Sequence, residues 1–330
     1  MKIKIGDITK IRTGKLDANA ADENGQYPFF TCSKEPLKIN TYSYDCECVL
    51  VAGNGDLNVK YYNGKFDAYQ RTYIIEDDSD GLLFMPYLYF FMESYIDELR
   101  KQSIGGVIKY IKLKNLTDAL IELPSIEVQR KIVNIISKSK EIVRRKENEF
   151  ELLDELVRAR FVEMFGEIED CDKWESKIWN EVVTIKNGRD YKKVLVSDGG
   201  YPVVGTGGEI ARASKYLCPE NTIVVGRKGS INNPMLMKEK FWNVDTAFGV
   251  IPNSDYLHYQ YFYCFCKFYN FMKLNKATTL PSTTKADLLK IRINIPPLEL
   301  QNQFASFVQE IDKSRLLSNH SLLLLKSITF

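Results

Sequence analysis

Polar side chains suited to reading DNA bases follow two Gly-containing turns of this sequence. Arg and Lys pair with the acceptors of guanine in the major groove, and Asn and Gln pair with adenine. The sequence therefore predicts base contacts from these residues, although solvated turns have the same composition without any ligand. The residues after the first turn are Asn54, Asp56, Asn58, Lys60, Tyr61, Lys65, Gln70 and Arg71, and those after the second are Arg227, Lys228, Ser230, Asn232 and Asn233.

Two further groups of residues offer backbone amides, hydroxyls and cations, which are the groups that bind phosphate oxygens. One group precedes the last strand of each half of the chain, and the other lies at the first turn of each half. Solvated turns are again the alternative interpretation. The predicted phosphate contacts are Gly105, Lys109, Thr278, Thr279, Ser282 and Lys285 in the first group, and Lys15, Arg189 and Lys192 in the second.

Catalytic and cofactor motifs do not emerge from the sequence. There is no Gly-x4-Gly-Lys-Ser/Thr loop, no Gly-x-Gly-x-x-Gly and no Gly-x-Ser-x-Gly. The Asn/Asp-Pro-Pro-Tyr/Phe loop of an amino-methyltransferase is also missing, and Glu175-Ser176-Lys177 lacks the correctly placed upstream Asp on a strand that a nuclease would have. The Cys-x-Cys pairs at 46/48 and 264/266 do not have zinc spacing. We therefore expect a chain that is not an enzyme and that binds neither cofactor nor metal; a fused enzyme is the alternative.

Composition indicates a globular protein with two cores. The 330 residues are 45% hydrophobic and 12% aromatic, and the net charge is +2. The amino terminus lacks the apolar run of a signal peptide, so we expect a cytoplasmic protein without membrane association. No basic tail or stripe is present, so a DNA-binding role would need a partner to supply much of the phosphate contact.

The sequence contains an internal repeat. Thr13-Gly14-Lys15 returns as Asn187-Gly188-Arg189 and Val49–Asn58 returns as Ile223–Asn232, both 174 positions later. Leu123–Gln129 returns as Ile295–Gln301, 172 positions later. The repeated unit is a globular domain followed by a long helix. The predicted boundaries are 1–124, 125–165, 166–297 and 298–330.

The long helix Ile126–Phe165 is predicted from apolar residues at steps of three and four without Gly or Pro. Its most apolar line keeps a period of 3.5, which favours a coiled-coil partner, and the helix spans about 60 Å. The partner is the segment Leu298–Phe330. The predicted line is Ile136, Ser139, Val143, Lys146, Phe150, Leu153 and Val157, and the facing residues are Phe304, Phe307, Val308, Ile311, Leu316, Leu317, Leu322, Leu325 and Ile328.

The globular domains are predicted to be α+β. Short apolar strands alternate with turns, and helices are expected at Pro86–Lys101 and Tyr256–Leu274. Gly166 is expected to cap the first long helix, and the linker Glu167–Asp172 then reverses the chain. The strands are predicted at Cys48–Val51, Arg71–Ile75, Ala119–Leu123, Thr222–Val225, Phe248–Ile251 and Lys290–Ile295.

The repeated helix starts, Leu-Pro-Ser-Ile-Glu-Val-Gln at 123–129 and Pro-Pro-Leu-Glu-Leu-Gln at 296–301, complete a resemblance that covers the whole chain. With Phe165-Gly166 and Trp174 opening the second half, the chain resembles the specificity subunit of type I restriction-modification systems. The first copy departs from the pattern at Ser125, where a second proline is expected, and the final helix stops some residues short of its counterpart.

The resemblance implies two target recognition domains, each reading one half of a gapped site in double-stranded DNA, with two antiparallel helices as spacer. It implies modification subunits that carry S-adenosylmethionine and methylate adenine, and restriction subunits that use ATP and Mg. No cofactor is implied for this chain itself. A two-domain protein-interaction scaffold without DNA binding remains the alternative.

Overall fold

The computed structural model describes residues 2–168, 173–275 and 279–329, and of Leu317 and residues 319–329 it describes the backbone alone. The chain divides into two compact units, Met1–Arg144 with Leu322–Phe330 and Arg145–Ser321. The predicted site residue Thr278, most of the predicted linker and the side chains of Leu317, Leu322, Leu325 and Ile328 lie outside this description.

The first unit combines a six-stranded sheet with a two-stranded one. The larger sheet has the order β2-β7-β5-β6-β3-β4, and β1 pairs antiparallel with β8. Short 3₁₀ turns lie at Ile5–Asp7 and Ala18–Ala20. The elements are β1 Lys2–Lys4, β2 Thr9–Thr13, β3 Tyr27–Phe30, β4 Leu37–Ile39, β5 Tyr44–Ala52, β6 Val59–Ala68, β7 Thr72–Asp77, α1 Met85–Gln102, α2 Leu113–Thr117, β8 Leu120–Glu122 and α3 Ile126–Phe165.

The central strand β5 is buried on both faces. Val49 and Val51 belong to the cluster that includes Leu88 of α1, whereas Cys48 and Leu50 belong to a second cluster on the other face. Successive side chains of a strand point to opposite faces, so one apolar run serves two cores. This explains why Cys48–Val51 is continuously apolar rather than alternating.

The segment after the first Gly turn differs from the prediction. Asn58, Lys60, Tyr61 and Lys65 were interpreted as loop residues that follow the Gly turn, but Val59–Ala68 forms β6 and pairs antiparallel with β5 from Val51 to Tyr44. The loop prediction was wrong because polar residues were counted without weighing the Val, Tyr and Phe residues that favour strands. Only Gly53–Asn58 remain as the turn.

The second unit contains two four-stranded sheets and one two-stranded sheet. Their orders are β10-β17-β14-β15, β11-β13-β12-β16 and β18-β9. The elements are β9 Ser176–Ile178, α4 Trp179–Val182, β10 Val183–Asn187, β11 Leu195–Val196, β12 Tyr201–Gly205, β13 Gly208–Ala213, β14 Thr222–Gly226, β15 Met235–Met237, β16 Trp242–Asn243, β17 Ala247–Pro252, α5 Tyr259–Phe268, α6 Lys285–Leu288, β18 Arg292–Asn294 and α7 Leu298–Thr329.

Helix α5 is shorter than predicted. It ends at Phe268, and a 3₁₀ turn follows at Phe271–Leu274. The side chain of Asn270 accepts a hydrogen bond from the amide of Met272 at 3.0 Å. An Asn that bonds its own downstream backbone competes with helix continuation, so the expected single helix is interrupted here.

Within the second unit, α3 and α7 pack antiparallel. Phe161 and Phe165 contact Phe304 with ring centroids 5.6 and 5.4 Å apart. Farther along, Arg315 donates to Asp154 at 2.7 Å. As residue numbers fall along α3 they rise along α7, which confirms the predicted helix pair. Gly166 has a φ of +88°, as expected for the residue that ends a helix.

The repeat is visible in hydrogen bonds at equivalent positions. The amide of Ile5 donates to Ala119 and that of Trp179 donates to Ile291, both at 2.9 Å. At the start of the long helices, Gln129 and Gln301 are each fully buried. Each of these two side chains accepts one backbone amide and donates to two backbone carbonyls. The Gln that ends each repeated motif therefore ties the helix to its own globular domain.

Candidate nucleic-acid interface

Backbone hydrogen bonds gather four segments of the first unit into one surface, the first loop cluster: 14–16, 53–56, 70–71 and 104–111. The amide of Gly53 donates to the carbonyl of Arg71 at 2.8 Å, and that of Gly55 donates to Lys109 at 2.9 Å. Gln70 donates to Leu16 at 2.9 Å. Residues far apart in sequence are thus fixed beside each other by main-chain bonds, which leaves their side chains available.

The second unit builds the same frame from 187–189, 226–230, 245–246 and 281–283, the second loop cluster. The amide of Arg227 donates to Thr246 at 2.8 Å, and that of Gly229 donates to Pro281 at 2.9 Å. Lys228 forms a bridge with Ser282, as Asn54 does with Tyr110 in the first unit. The Gly55–Lys109 and Gly229–Pro281 bonds and the two bridges correspond by the offsets of 174 and 172 in the sequence repeat, whereas Thr246 lies 175 positions after Arg71. The two frames are therefore equivalent and present different side chains.

The turn at which each cluster begins in sequence, at Gly14 or Gly188, needs a residue without a side chain. A Cβ atom on Gly14 would lie 2.2 Å from the carbonyl oxygen of Ala68, and one on Gly188 would lie 1.8 Å from that of Val244. Because backbone atoms cannot yield as a flexible side chain does, only Gly fits. The exposed residues that follow, Lys15 and Arg189, are thereby fixed against the sheet.

Around the turn Gly53–Asn58, three of the predicted residues are engaged within the protein. The amide nitrogen of Asn58 donates to Cys32 at 2.8 Å and to Asp56 at 2.9 Å, and its oxygen accepts from the ammonium of Lys60. Burial lowers the pKa of Lys60. Asp56 also accepts from Arg100 at 3.3 Å. These contacts stabilise the turn, and Gln70 and Arg71 are exposed at its edge.

Tyr61 and Lys65 lie on β6 rather than in the loop cluster. Tyr61 donates to Glu47 at 2.6 Å, and burial together with this hydrogen bond raises its pKa to about 12. Lys65 pairs with Asp45 in the sheet. Asp45 is seven residues before Ala52, which places Lys65 roughly 24 Å from the turn at 3.4 Å per residue. The structure does not bring Lys65 together with the other predicted residues.

In the second cluster, Arg227, Lys228 and Ser230 are exposed. The guanidinium of Arg227 donates to the carbonyl of Asp245 at 3.4 Å, which directs it along the cluster. It lines a groove of about 230 Å³ together with Asn187, Phe248 and Lys285. The ammonium of Lys285 donates to the carbonyl of Ile185 at 2.9 Å. Two cationic side chains, Arg227 and Lys285, therefore line this groove.

The remaining predicted residues of both units have varied surroundings. The oxygen of Asn232 accepts the amide of Phe271 at 2.8 Å, so Asn232 caps the 3₁₀ turn after α5. Asn233, Thr279 and Lys192 are exposed, and Ser282 is half-buried. Gly105 has a φ of +112° in the loop that carries exposed Lys109. Most of these residues are on the surface, but only some border the clusters.

Thr283 is a positioning residue that the sequence prediction did not single out. It is buried, its hydroxyl donates to Gly226 at 2.8 Å, and its amide donates to Arg227 at 3.0 Å. Both bonds hold the backbone from which the Arg227 side chain extends. The sequence repeat aligns Thr283 with Ile111, and this alignment was the available signal. The amide of Ile111 makes the equivalent bond in the first unit, to the carbonyl of Gly53 at 2.9 Å.

The residues that the structure describes also bear on metal binding, thiol chemistry and membrane insertion. In that part of the chain no group of three or more His, Cys, Asp or Glu is placed to hold a metal ion. The described cysteines carry free thiols, and burial raises the pKa of Cys48, Cys218, Cys264 and Cys266. No described helix combines the length and the apolar character needed to cross a membrane.

The fold and the two equivalent loop clusters define a protein with two mixed α/β domains and long paired helices, built by internal duplication. The sequence model of the family described as "Type I restriction modification DNA specificity domain" matches residues 1–152 and again 171–326. The chain belongs to this family.

Similar proteins carry the same kind of name. The Type I restriction enzyme EcoDI specificity subunit of Escherichia coli is 45% identical over 123 residues, which are 37% of this chain and 27% of that protein. The MjaVIII specificity subunit of Methanocaldococcus jannaschii is 22% identical over 372 residues, covering 94% of this chain and 85% of that protein. The chain thus matches about a quarter of the length of the first relative and most of the second.

Solved structures show the same fold over the whole chain. The type I restriction-modification S subunit from M. genitalium has a TM-score of 0.69 at 16% identity, with 100% of this chain and 93% of that chain covered. A chain from a study of complex assembly and conformational transition of the type I system has a TM-score of 0.51 at 15% identity, covering 100% and 95%.

Proposed function

We propose that this chain is the DNA sequence-recognition subunit of a type I restriction-modification complex. Each loop cluster reads one half of a gapped two-part site in double-stranded DNA. The observation that carries this proposal is the pair of equivalent frames, in which the same main-chain bonds present different side chains. Membership of the specificity family supports DNA as the ligand.

The division between frame and side chains suits sequence reading. A fixed backbone limits the entropy lost when a side chain meets a base, and the identity of the side chain then selects the base. Gly53 in the first cluster corresponds to Arg227 in the second, and Asn54 corresponds to Lys228. A scaffold that binds the same ligand twice would have no need to change these positions, whereas two different half-sites require it.

The proposed division between base and phosphate contacts follows the exposure of each residue. Gln70, Arg71, Arg227, Lys228 and Ser230 are proposed to reach base edges, since their side chains are exposed at the cluster edges. Lys15, Lys109 and Arg189 lie on the flanking segments and are proposed to contact phosphates. Asn58 and Asn232 are proposed to act by shaping their loops, because their amides are engaged within the protein.

The chemistry is proposed to belong to other subunits. Modification subunits would carry S-adenosylmethionine and methylate adenine, and restriction subunits would use ATP and Mg. In the part of the chain that the structure describes, the candidate interface contains no cluster of metal ligands. We propose that this chain is non-catalytic and that α3 and α7 serve as the spacer between domains 1–124 and 166–297. Binding of S-adenosylmethionine by the isolated chain in calorimetry would contradict this division.

Variants of single exposed residues test the proposal. The chain is co-expressed with its modification subunit, and methylated adenines are mapped by long-read sequencing. Gln70→Ala should relax one base in one half of the motif, and Arg227→Ala should relax one base in the other half. The matched control is Arg292→Ala, an exposed Arg of the second unit on β18, away from the cluster. A motif that is unchanged in both cluster variants, or changed in the control, would contradict the assignment.

A further inference from the structure

Two exposed aliphatic side chains occupy equivalent positions in the two loop clusters. Ile108 is 63% exposed and Leu280 is 53% exposed. Each directly precedes the residue whose carbonyl accepts the amide of the turn glycine, namely Lys109 with Gly55 and Pro281 with Gly229. The two positions are 172 residues apart, which is the offset of this part of the repeat. An apolar residue is thus presented at the same point of both frames.

The first of these side chains is held outward by its loop. Ile104 and Tyr110 exchange backbone hydrogen bonds of 3.0 and 2.8 Å, which close the loop on either side of Ile108. Gly105 adopts a φ of +112°, and a Cβ at that position would lie 2.5 Å from the carbonyl oxygen of Ile108. Val107, at the tip, is fully exposed. The loop is therefore a closed turn that presents aliphatic groups to solvent.

Single exposed apolar residues are common on protein surfaces and need no explanation alone. These two differ because they recur at one point of a duplicated frame whose other side chains have diverged. Both lie beside the polar residues proposed to read bases: Asn54 bridges to Tyr110, and Lys228 bridges to Ser282, each two residues beyond the aliphatic side chain. We therefore infer that the molecule bound by each cluster carries an apolar group at this point of its surface.

We propose that Ile108 and Leu280 each read a thymine by contact with its C5-methyl group. This inference rests on the proposed function. In the major groove the thymine methyl is the apolar group displayed on the base edges, so an aliphatic side chain among base-reading residues finds its complement there. A half-site in which adenine is methylated contains an A·T pair, so each half offers at least one thymine.

The test uses the complex of this chain with its modification subunit and a duplex carrying the mapped motif. Each thymine in turn is replaced by uracil, which removes only the methyl group and leaves every base hydrogen bond. Affinity is measured for the unaltered chain, for Ile108→Ala and for Leu280→Ala. The matched control is Leu82→Ala, which truncates a side chain that is 62% exposed in the first unit outside the loop cluster.

For the unaltered chain, one uracil in each half-site should weaken binding about three- to fivefold, the loss expected for one buried methyl group. Ile108→Ala should weaken binding to the thymine duplex by a similar factor and should no longer respond to uracil at one of the two positions. Leu280→Ala should lose the response at the other. The control should bind as the unaltered chain does and keep both responses.

Two results would overturn the inference while leaving the proposed function intact. One is a specific complex whose affinity responds to uracil identically with and without Ile108 and Leu280. The other is fluorescence of 2-aminopurine at the site that rises only when these side chains are present, which would make them wedges that unstack the bases. A complex with equal affinity for the motif and a scrambled duplex would instead contradict the proposed function itself.

Discussion

Replacing Gln301 by Leu removes the bonds that join α7 to the second domain. Its oxygen accepts the amide of His258 at 2.8 Å, and its nitrogen donates to Tyr256 at 2.9 Å and to Pro296 at 2.8 Å. The side chain is fully buried. Leu has nearly the same volume but no polar atom, so one backbone amide and two carbonyls lose their partner.

A buried polar group without a partner costs about 1 to 3 kcal/mol, and relaxation or water recovers part of the sum over three groups. We expect Gln301→Leu to lower the free energy of unfolding by about 3 to 5 kcal/mol. With an m-value of about 2 kcal/mol/M, the urea midpoint should fall by about 1.5 to 2.5 M.

Tryptophan emission measures this loss where it occurs. The protein has three Trp residues, at positions 174, 179 and 242, and all lie within the second unit. The matched control is Gln303→Leu on the same helix, where the residue is exposed. The control should change the free energy of unfolding by less than about 0.5 kcal/mol. Equal midpoints for the two variants would refute the role assigned to Gln301.

Three further predictions concern charge, close approach and base reading. Burial disfavours the charge of Asp154, but Lys267 and Arg315 more than offset it and hold its pKa below the ordinary value of 3.8. A carboxyl group whose pKa is lowered by folding stabilises the folded state at pH values above its ordinary pKa. Asp154→Asn should therefore cost about 0.5 to 1 kcal/mol of stability at pH 7 in thermal melts. That difference should vanish as the pH falls below 3.8 through the lowered pKa. Gly188→Ala should cost about 2 kcal/mol or more in the same Trp assay, because its methyl group meets a backbone oxygen. Arg227→Ala should cost about 1 to 3 kcal/mol of discrimination at one base pair in binding to single-base variants of the motif; uniform weakening would make Arg227 a phosphate contact.

The sequence predicted the elements that depend on local pattern. The long helix, its antiparallel partner in the second unit, the cap at Gly166 and the six strands of the apolar runs are all present. The repeat is confirmed because its offsets of 174 and 172 link hydrogen bonds such as Ile5 to Ala119 and Trp179 to Ile291. Periodicity and duplication are properties of the chain itself, so they can be read without knowing tertiary contacts.

Tertiary context decided what the sequence could not supply. β6 pairs with β5 along its length, and the polar residues of the segment obscured the Val, Tyr and Phe residues that favour a strand. Asn58 and Asn232 have the side chains of base readers, but their amides are bonded within the protein. The sequence did not single out Ile108 and Leu280, because the residue types that predict base contacts are polar and single exposed apolar residues are common. Which base or phosphate each side chain meets stays a prediction.

We propose that the two equivalent loop clusters read two different half-sites. The most direct measurement is long-read mapping of methylated adenines in cells that express this chain with its modification subunit, compared with cells that lack this chain. We expect a gapped two-part motif that disappears without the chain, with Gln70→Ala and Arg227→Ala altering opposite halves. Methylation that is absent although the two proteins form a soluble complex, or a motif with a single part, would contradict it.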